Sequence, residues 1–430
     1  MSCLGHSGHD GPLKLSSVSK QKMGEILSAA SNKAVVVKEF FQAPHEGTND
    51  NFTSNISRLK VVSENDEVYH IIAKESKSDS GFWNTFFFSL NRFFFKEYIW
   101  YGVARPLLAS TWPKVNELSP NIYYGNVNTG TTLEKSWCQE TFGPFGLMFK
   151  NEKIALSAVR SMAHFHGIWK RFLYGKAHFT PDNSFTSPKD FVSHFETDYG
   201  TWSYHKLLAP FKAMCRDLII NNFSTEIGAG EYLASVYMSY MNSEKADKLL
   251  EELYTNTKAD NSKLKTMNHG DSWTNNMLYR ESDDSVTLLD FQLMQISHPA
   301  KDFWYFIYSC TDQEMRKGHL EEIKMAYYEV YSSYLAPNFE MTYEEVSAEL
   351  ENRRGICLFL AMVCVMVSKY PEPIASNQLL LHGPYKKMMR LIADKEKAED
   401  HPAIKNIRKL ILETVTELSN LGVLRKNKHI

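Results

Sequence analysis

The sequence predicts an α+β fold, in which a β-rich amino-terminal part precedes a larger and mainly helical part. Three runs rich in β-branched and aromatic residues lie at 35–41, 52–62 and 68–75, with polar turns between them. Helical periodicity dominates later, first at 154–169 and then after Asp302. Strands grouped ahead of helices are typical of α+β architectures. A chain of 430 residues can hold one large domain with two lobes, or two to three small domains.

The amino-terminal part is expected to begin after a flexible tail, because residues 1–20 are rich in Gly, Ser and His. Short connections between the three strands favour an antiparallel sheet. The next segment, 82–101, is crowded with aromatic residues and is predicted to be the main helix of this part. A helix apolar on so many sides should be covered on more than one face. Packing between the lobes is the favoured interpretation, and an aromatic wall for a flat apolar ligand is the alternative.

Helices are predicted in the carboxy-terminal part at 154–169, 206–223, 234–253 and 404–421. Thr342 and Glu345 form the Ser/Thr-x-x-Glu pattern of a capping box, which predicts another helix start. The apolar run 356–368 is predicted to be a buried core helix, because it is too short for the ~20 residues that span a bilayer. His164 and His166 project to different sides of their helix, which favours structural roles over a shared metal site.

Composition disfavours several classes of function. The net charge of −2 provides no strongly basic surface for nucleic acid, and the hydrophobic fraction of 43% is ordinary for a globular protein. The six cysteines show neither Cys-x-x-Cys pairs nor zinc-like spacing, which favours buried thiols in a reducing compartment. No signal-peptide pattern and no membrane span is found in the sequence. We therefore expect a soluble cytoplasmic protein without an obligate protein partner.

The segment from Asn268 to Gln292 carries the most specific chemical signal. Two short apolar stretches within 277–289 flank a polar turn and predict a β-hairpin. Asp271 precedes the first strand, Asn276 follows Asp271 by five positions, and Asp290 ends the second strand. The hairpin is expected to return Asp290 to the side of the other two residues. An ordinary acidic hairpin with a capping aspartate is the alternative interpretation.

Phosphoryl transfer requires such a set of side chains. One carboxylate, here Asp271, orients a hydroxyl nucleophile and takes its proton. An amide oxygen and a second carboxylate, here Asn276 and Asp290, hold Mg²⁺ against the phosphates of ATP. The order Asp-x-x-x-x-Asn, strand, turn, strand, Asp-Phe matches the catalytic and metal loops of protein kinases. His-Gly-Asp stands in place of His-Arg-Asp, and Asp-Phe-Gln in place of Asp-Phe-Gly.

A family resemblance appears in the same residues. The motif His-Gly-Asp-x-Trp-x-Asn-Asn at 269–276, followed by Asp-Phe-Gln at 290–292, resembles the ecdysteroid kinase-like (CHK kinase-like) family of the aminoglycoside and choline phosphotransferase group. Pro299 and Asp302 match the Pro-x-x-Asp segment of that family. The resemblance implies a two-lobed protein-kinase-like fold and ATP-dependent phosphorylation of a small-molecule hydroxyl. It also implies that His269 and Asp302 support the catalytic loop.

Nucleotide-binding residues are expected in the β-rich lobe. Gly47, Asn51 and Ser54 lie in the loop between the first two strands, where kinases fold backbone N–H groups over the phosphates. Lys74 ends the third strand and resembles the lysine that contacts the α- and β-phosphates. A carboxylate from the following helix is needed to hold that lysine, and Glu97 is the candidate.

Two departures from the family pattern bear on activity. Asn49 stands where the family usually has glycine, and its side chain would crowd a phosphate. Glu140 and Thr141 replace the family's Glu-Asp pair, so only the location of the adenine-binding hinge is predicted. The lobe boundary is placed there, between a nucleotide-binding lobe at 21–140 and a catalytic and substrate lobe at 141–430.

The acceptor suggested by the family name is an ecdysteroid- or sterol-like alcohol, which the aromatic content would suit. A choline- or aminoglycoside-type acceptor is the first alternative, but a cationic substrate would need clustered acids that face the catalytic loop, and no such cluster is expected near 195–265. A catalytically weak protein that binds nucleotide or an apolar ligand is the second alternative. A protein kinase is disfavoured, because no Ala-Pro-Glu segment follows Asp290 and the segment 292–299 is too short to dock a peptide.

Overall fold

The computed structural model describes residues 18–44, 54–76, 93–126, 131–135, 151–174, 229–254, 263–335, 340–359, 361–362 and 402–425. In these segments the chain forms one lobe around an antiparallel sheet and a larger lobe built mainly of helices. The predicted two-lobed α+β fold is therefore confirmed. The tail up to residue 17 and the helix predicted at 206–223 lie outside the described residues.

The sheet has the spatial strand order β1-β2-β3-β5-β4, and every neighbouring pair is antiparallel. These strands are β1 (Val37–Pro44), β2 (Ser54–Ser63), β3 (Val68–Ser76), β4 (Ile122–Asn126) and β5 (Thr131–Lys135). The three predicted strands are confirmed within a few residues at each end. Leu59 and Val61 alternate with exposed neighbours along β2, as a strand with one buried face requires.

A helix that the sequence analysis missed, α1 (Lys20–Ser31), packs against β1 and β4. Ser19 caps its first turn, where the hydroxyl accepts the backbone N–H of Lys22 at 3.1 Å. Its buried apolar side chains are only Met23, Ile26 and Leu27. These positions have helical spacing, but the stripe covers little more than one turn, which is too short a signal to predict a helix.

A run of short helical segments packs between the two lobes. It consists of α2 (Phe93–Ile99), a π-helical segment (Trp100–Ala104), α3 (Arg105–Ala109) and, after a turn, α4 (Val115–Leu118). Trp100 and Tyr101 are buried in the core of the helical lobe, and the Trp100 ring lies 5.2 Å from that of Phe165. Packing between the lobes is thereby confirmed for these two aromatic residues. Tyr98 is half-buried and packs against the same core, and the aromatic side chains at 82–95 lie outside the described ones.

Long helices and two small antiparallel sheets form the carboxy-terminal lobe. The helices are α5 (Glu152–Tyr174), α6 (Ala229–Met241), α7 (Glu244–Tyr254), α8 (Ala300–Cys310), α9 (Gln313–Ser332), α10 (Tyr343–Glu351) and α11 (Pro402–Asn420). The sheets pair β6 (Thr266–Asn268) with β9 (Gln295–Ser297), and β7 (Met277–Arg280) with β8 (Ser285–Leu288). The predicted hairpin is confirmed as β7–β8.

Most helix predictions in this lobe are confirmed, and two are corrected. The helix predicted at 154–169 is α5, the one at 404–421 is α11, and the capping box opens α10. The single helix predicted at 234–253 is wrong, because the chain breaks at Asn242 and Ser243 into α6 and α7. Their short polar side chains compete with helical hydrogen bonds, and the Ser243 hydroxyl accepts a backbone N–H of the next turn.

The apolar run that begins at Ile356 is buried but is not an α-helix at its start, since Arg354–Leu358 is a 3₁₀-helix. Residues after Met362 in this run lie outside the described part of the chain. Of the helices that the structure describes, none combines the length and apolar character needed to cross a membrane.

Candidate active site

The candidate active site lies where the loop after β6 meets the end of the β7–β8 hairpin. Gly270, at the centre of His-Gly-Asp, has a φ of +87°, which side chains rarely tolerate. A Cβ atom at Gly270 would lie 2.1 Å from the carbonyl oxygen of Leu293. Only glycine therefore lets the backbone of this loop lie directly against the segment after Asp290. This close approach explains glycine where protein kinases have arginine.

Asp302, in the first turn of α8, binds the backbone of the loop after β6. Its Oδ2 accepts the N–H of His269 at 2.5 Å, and its Oδ1 accepts the N–H of Gly270 at 2.8 Å. The His166 ring contacts Oδ2 through Nε2 at 3.1 Å. Burial alone would raise the pKa of Asp302, but the His166 hydrogen bond and the positive charge of Lys301 hold it below its usual value. A charged acceptor of backbone N–H groups rigidifies the loop.

His269 ties the same loop to the end of β8. Its Nε2 lies 2.8 Å from the carbonyl oxygen of Leu289, so that nitrogen donates, while Nδ1 accepts the N–H of Asp271 at 3.3 Å. This pairing requires a neutral ring with its proton on Nε2. Burial lowers the pKa of His269 and favours the same neutral form.

The Asp271 carboxylate is held at both oxygens. The hydroxyl of Tyr305 donates to Oδ1 at 2.8 Å, and Nδ2 of Asn276 donates to Oδ2 at 2.8 Å. Burial and the negative charge of Asp290 raise the pKa of Asp271 to about 7, although the two hydrogen bonds act in the opposite direction. The group is thereby oriented and close to its titration point at neutral pH.

Asn276 and Asp290 offer the oxygen atoms that could hold a divalent cation. Nδ2 of Asn276 also donates to the backbone oxygen of Asp271 at 3.0 Å, which leaves the amide oxygen as the metal-binding atom of that side chain. Asp290 has a φ of +61° at the end of the hairpin. Amide and carboxylate oxygens suit Mg²⁺, and a bound cation would relieve the repulsion between Asp271 and Asp290. The residues therefore fit a magnesium site.

Lys74 reaches this site from β3 of the other lobe. Its Nζ lies 3.1 Å from each carboxylate oxygen of Glu97 in α2, and 3.0 Å from Oδ1 of Asp290. Lys74 is 5% exposed and Glu97 is fully buried, so the pair lies in a low-dielectric region where charges interact strongly. The structure thus brings residues from β3, α2 and the hairpin within contact distance.

Three contributors to the site were missed by the sequence analysis. They are Tyr305, which donates to Asp271, His166, which contacts Asp302, and Gln292, whose amide donates to Glu97. One signal was available for Tyr305, because it follows Asp302 by one helical turn and shares its face. His166 was correctly assigned a structural role, but its partner lies 136 residues away in the chain.

Some predicted residues have no described environment. Gly47, Asn49 and Asn51, as well as the hinge at 139–141, lie outside the described residues. Ser54 begins β2, but its side chain lies outside the described set. The phosphate loop and the hinge accordingly remain predictions from the sequence.

A two-lobed α+β fold with this constellation of acid, amide and paired lysine defines a phosphotransferase of the kinase class. The chain belongs to the ecdysteroid kinase-like family, whose model matches residues 48–337. The protein is accordingly a small-molecule kinase, as the sequence predicted. Among curated proteins, none matches the chain.

Solved structures of several small-molecule phosphotransferases are similar at low identity. An ethanolamine kinase from Plasmodium vivax is 10% identical, with a TM-score of 0.43, 93% of this chain and 89% of that chain being covered. A macrolide 2'-phosphotransferase from Brachybacterium faecium is 10% identical, with a TM-score of 0.34 and coverages of 79% and 98%. An amicoumacin kinase solved with AMP-PNP and Ca²⁺ is 10% identical, with a TM-score of 0.38 and coverages of 79% and 86%. With TM-scores this low, the similarities carry no weight for mechanism or substrate.

Proposed function

We propose that this protein transfers the γ-phosphoryl group of ATP, with Mg²⁺, to a hydroxyl group of an ecdysteroid- or sterol-like alcohol. One observation carries the proposal: Asp271, Asn276 and Asp290 converge with the ion pair of Lys74 and Glu97. Nζ of Lys74 lies 3.0 Å from Oδ1 of Asp290. Structural hairpins do not require a buried lysine and two acids at one point. Phosphoryl transfer does, because its catalysis consists mainly of positioning and charge stabilisation.

Asp271 has the role of base in this proposal. The acceptor hydroxyl oxygen bonds to the γ-phosphorus, its proton passes to Asp271, and the bond from that phosphorus to the ADP oxygen breaks. Tyr305 and Asn276 each donate to a different oxygen of Asp271, which fixes the rotation of the carboxylate. Burial raises the pKa of Asp271, which favours uptake of the proton from the acceptor hydroxyl.

Asn276 and Asp290 are the proposed holders of Mg²⁺, which supplies charge neutralisation at the transferring phosphoryl group. Lys74 is proposed to contact the α- and β-phosphates while Glu97 holds its ammonium in place. The loop with Gly47, Asn51 and Ser54 is proposed to cover the phosphates with its backbone N–H groups. His269 and Asp302 keep the catalytic loop in shape and touch no reacting atom.

The choice of acceptor class is supported by family membership. Membership in the ecdysteroid kinase-like family supports a sterol-like alcohol. A choline- or aminoglycoside-type acceptor is the alternative. The two classes differ in charge, so a mixed panel separates them.

The test is Mg²⁺-dependent transfer of labelled phosphate from ATP to a panel of sterol, choline and aminoglycoside alcohols. Asp271→Asn is the inactive variant, and Asp283→Asn, at the exposed hairpin tip, is the matched control. A product made by wild type and Asp283→Asn but not by Asp271→Asn supports the enzyme and identifies its acceptor class. ATP binding that needs no Mg²⁺ and survives Asp290→Ala, with no product, would instead favour a nucleotide-binding protein without activity.

A further inference from the structure

Gln292 occupies the position that is glycine in the Asp-Phe-Gly segment of protein kinases, and its side chain is engaged. The residue is 3% exposed, and its amide Nε2 donates to Oε2 of Glu97 at 3.2 Å. A glycine has no side chain with which to make this contact. The substitution therefore adds an interaction between the metal loop and α2, and the chemistry described so far does not account for it.

The Glu97 carboxylate is the group that benefits. It is fully buried, and Lys74 contacts both of its oxygens at 3.1 Å. The Gln292 amide adds a second donor to one of those oxygens. A buried carboxylate is costly unless donors surround it, so this second donor favours the correctly rotated form of Glu97. That form is the one that holds Lys74.

The two residues before Gln292 contact the same lobe. Asp290 lies 3.0 Å from Nζ of Lys74, and the Phe291 ring stacks on Trp100 with centroids 4.5 Å apart and planes at 20°. Trp100 directly follows α2, which carries Glu97. Three consecutive residues of the metal loop, 290–292, thus contact β3, the π-helical segment and α2 respectively. An apolar side chain at 292 would keep the packing but lose the polar contact.

We propose that Gln292 is a positioning residue that holds α2, and with it Glu97, against Lys74. Its loss lets Glu97 rotate or move away, so Lys74 is no longer aimed at the phosphates. The consequence for catalysis rests on the proposed function, because it assumes that Lys74 binds ATP. The consequence for α2 does not, and it can be measured without nucleotide.

The test compares Gln292→Met, which keeps the length and bulk of the side chain, with Tyr308→Phe as control. Tyr308→Phe removes a part-buried hydrogen bond to Glu417 in α11, and this bond involves neither Gln292 nor Glu97. In the nucleotide-free protein, hydrogen exchange of amides 93–109 is expected to accelerate in Gln292→Met only. The Kd for ATP is expected to rise on the order of tenfold, as for loss of one hydrogen bond to a charged group.

A swap tests the pair directly. Gln292→Glu sets two carboxylates side by side and is expected to weaken ATP binding more than Gln292→Met does. Adding Glu97→Gln restores one amide and one carboxylate, and is expected to recover part of that loss. Additive losses in the double variant would overturn the proposal, since independent sites add and coupled ones do not.

The outcomes separate the two proposals. Wild-type exchange at 93–109 together with a wild-type Kd in Gln292→Met would overturn the role of Gln292, even if phosphate transfer by the wild type stands. The reverse outcome is also distinct. Accelerated exchange in Gln292→Met would sustain the contact, and a wild-type protein that neither binds ATP nor transfers phosphate would overturn the proposed function.

Discussion

Replacement of Gly270 by alanine tests the geometry on which the site depends. At a φ of +87° a Cβ atom costs about 1–3 kcal/mol in backbone strain. That atom would also lie 2.1 Å from the Leu293 oxygen and 2.7 Å from its carbonyl carbon. Backbone atoms cannot rotate away as a flexible side chain can, so overpacking adds about 1–3 kcal/mol. We therefore expect Gly270→Ala to lower the free energy of unfolding by about 2–6 kcal/mol. The free energy of unfolding of a typical protein is only about 5–15 kcal/mol.

Activity should fall more than stability suggests. The loop carries Asp271 and the segment it touches follows Asp290, so separating them by even about 1 Å misplaces base and metal ligand together. Gly318→Ala is the matched control, because a Cβ at this position in α9 meets no atom within 4 Å. That change should stabilise the protein by about 0.5–1 kcal/mol. Denaturant unfolding and phosphate transfer are measured for both variants. A Gly270→Ala protein as stable and active as wild type would refute the reasoning.

Three further changes test the charges of the site. Asp271→Asn should abolish transfer yet stabilise the nucleotide-free fold. The folded pKa of about 7 exceeds the ordinary 3.8, so the carboxylate costs stability as pH rises between these values, up to about 4 kcal/mol above pH 7 and none below 3.8. Equal melting temperatures for variant and wild type at both pH 8 and pH 5 would contradict this. Tyr305→Phe removes one donor from Asp271 and should lower kcat about tenfold at unchanged KM for ATP. Tyr308→Phe, in the same helix, should leave kcat unchanged. An equal effect of both variants on kcat would mean that only packing matters. Lys74→Met leaves the buried Glu97 without its cation and should lower the free energy of unfolding, measured with denaturant, by about 3–5 kcal/mol. Adding Glu97→Gln should restore stability but not ATP binding.

Local patterns predicted much of the site because its central part is local in sequence. Asp271, Asn276 and Asp290 flank one hairpin, and the register of a hairpin follows from its turn. The α+β division was readable for a similar reason, since periods of two and of 3.6 residues are properties of short segments. Where the local signal was weak, as in α1, or misleading, as at Asn242, prediction failed.

The contacts that tune these residues join distant parts of the chain. Gln292 and Glu97 are 195 positions apart, and His166 and Asp302 are 136 apart. No periodicity relates such positions, because their distance is set by how α2, α5 and α8 pack in the common core. The amino-acid sequence by itself determined which side chains could carry phosphoryl transfer and on which elements they lie. Only the tertiary structure decided that Lys74 also meets Asp290, that Tyr305 orients Asp271, and that Gly270 must lack a side chain. Those facts arise from close packing between elements, which no single segment encodes.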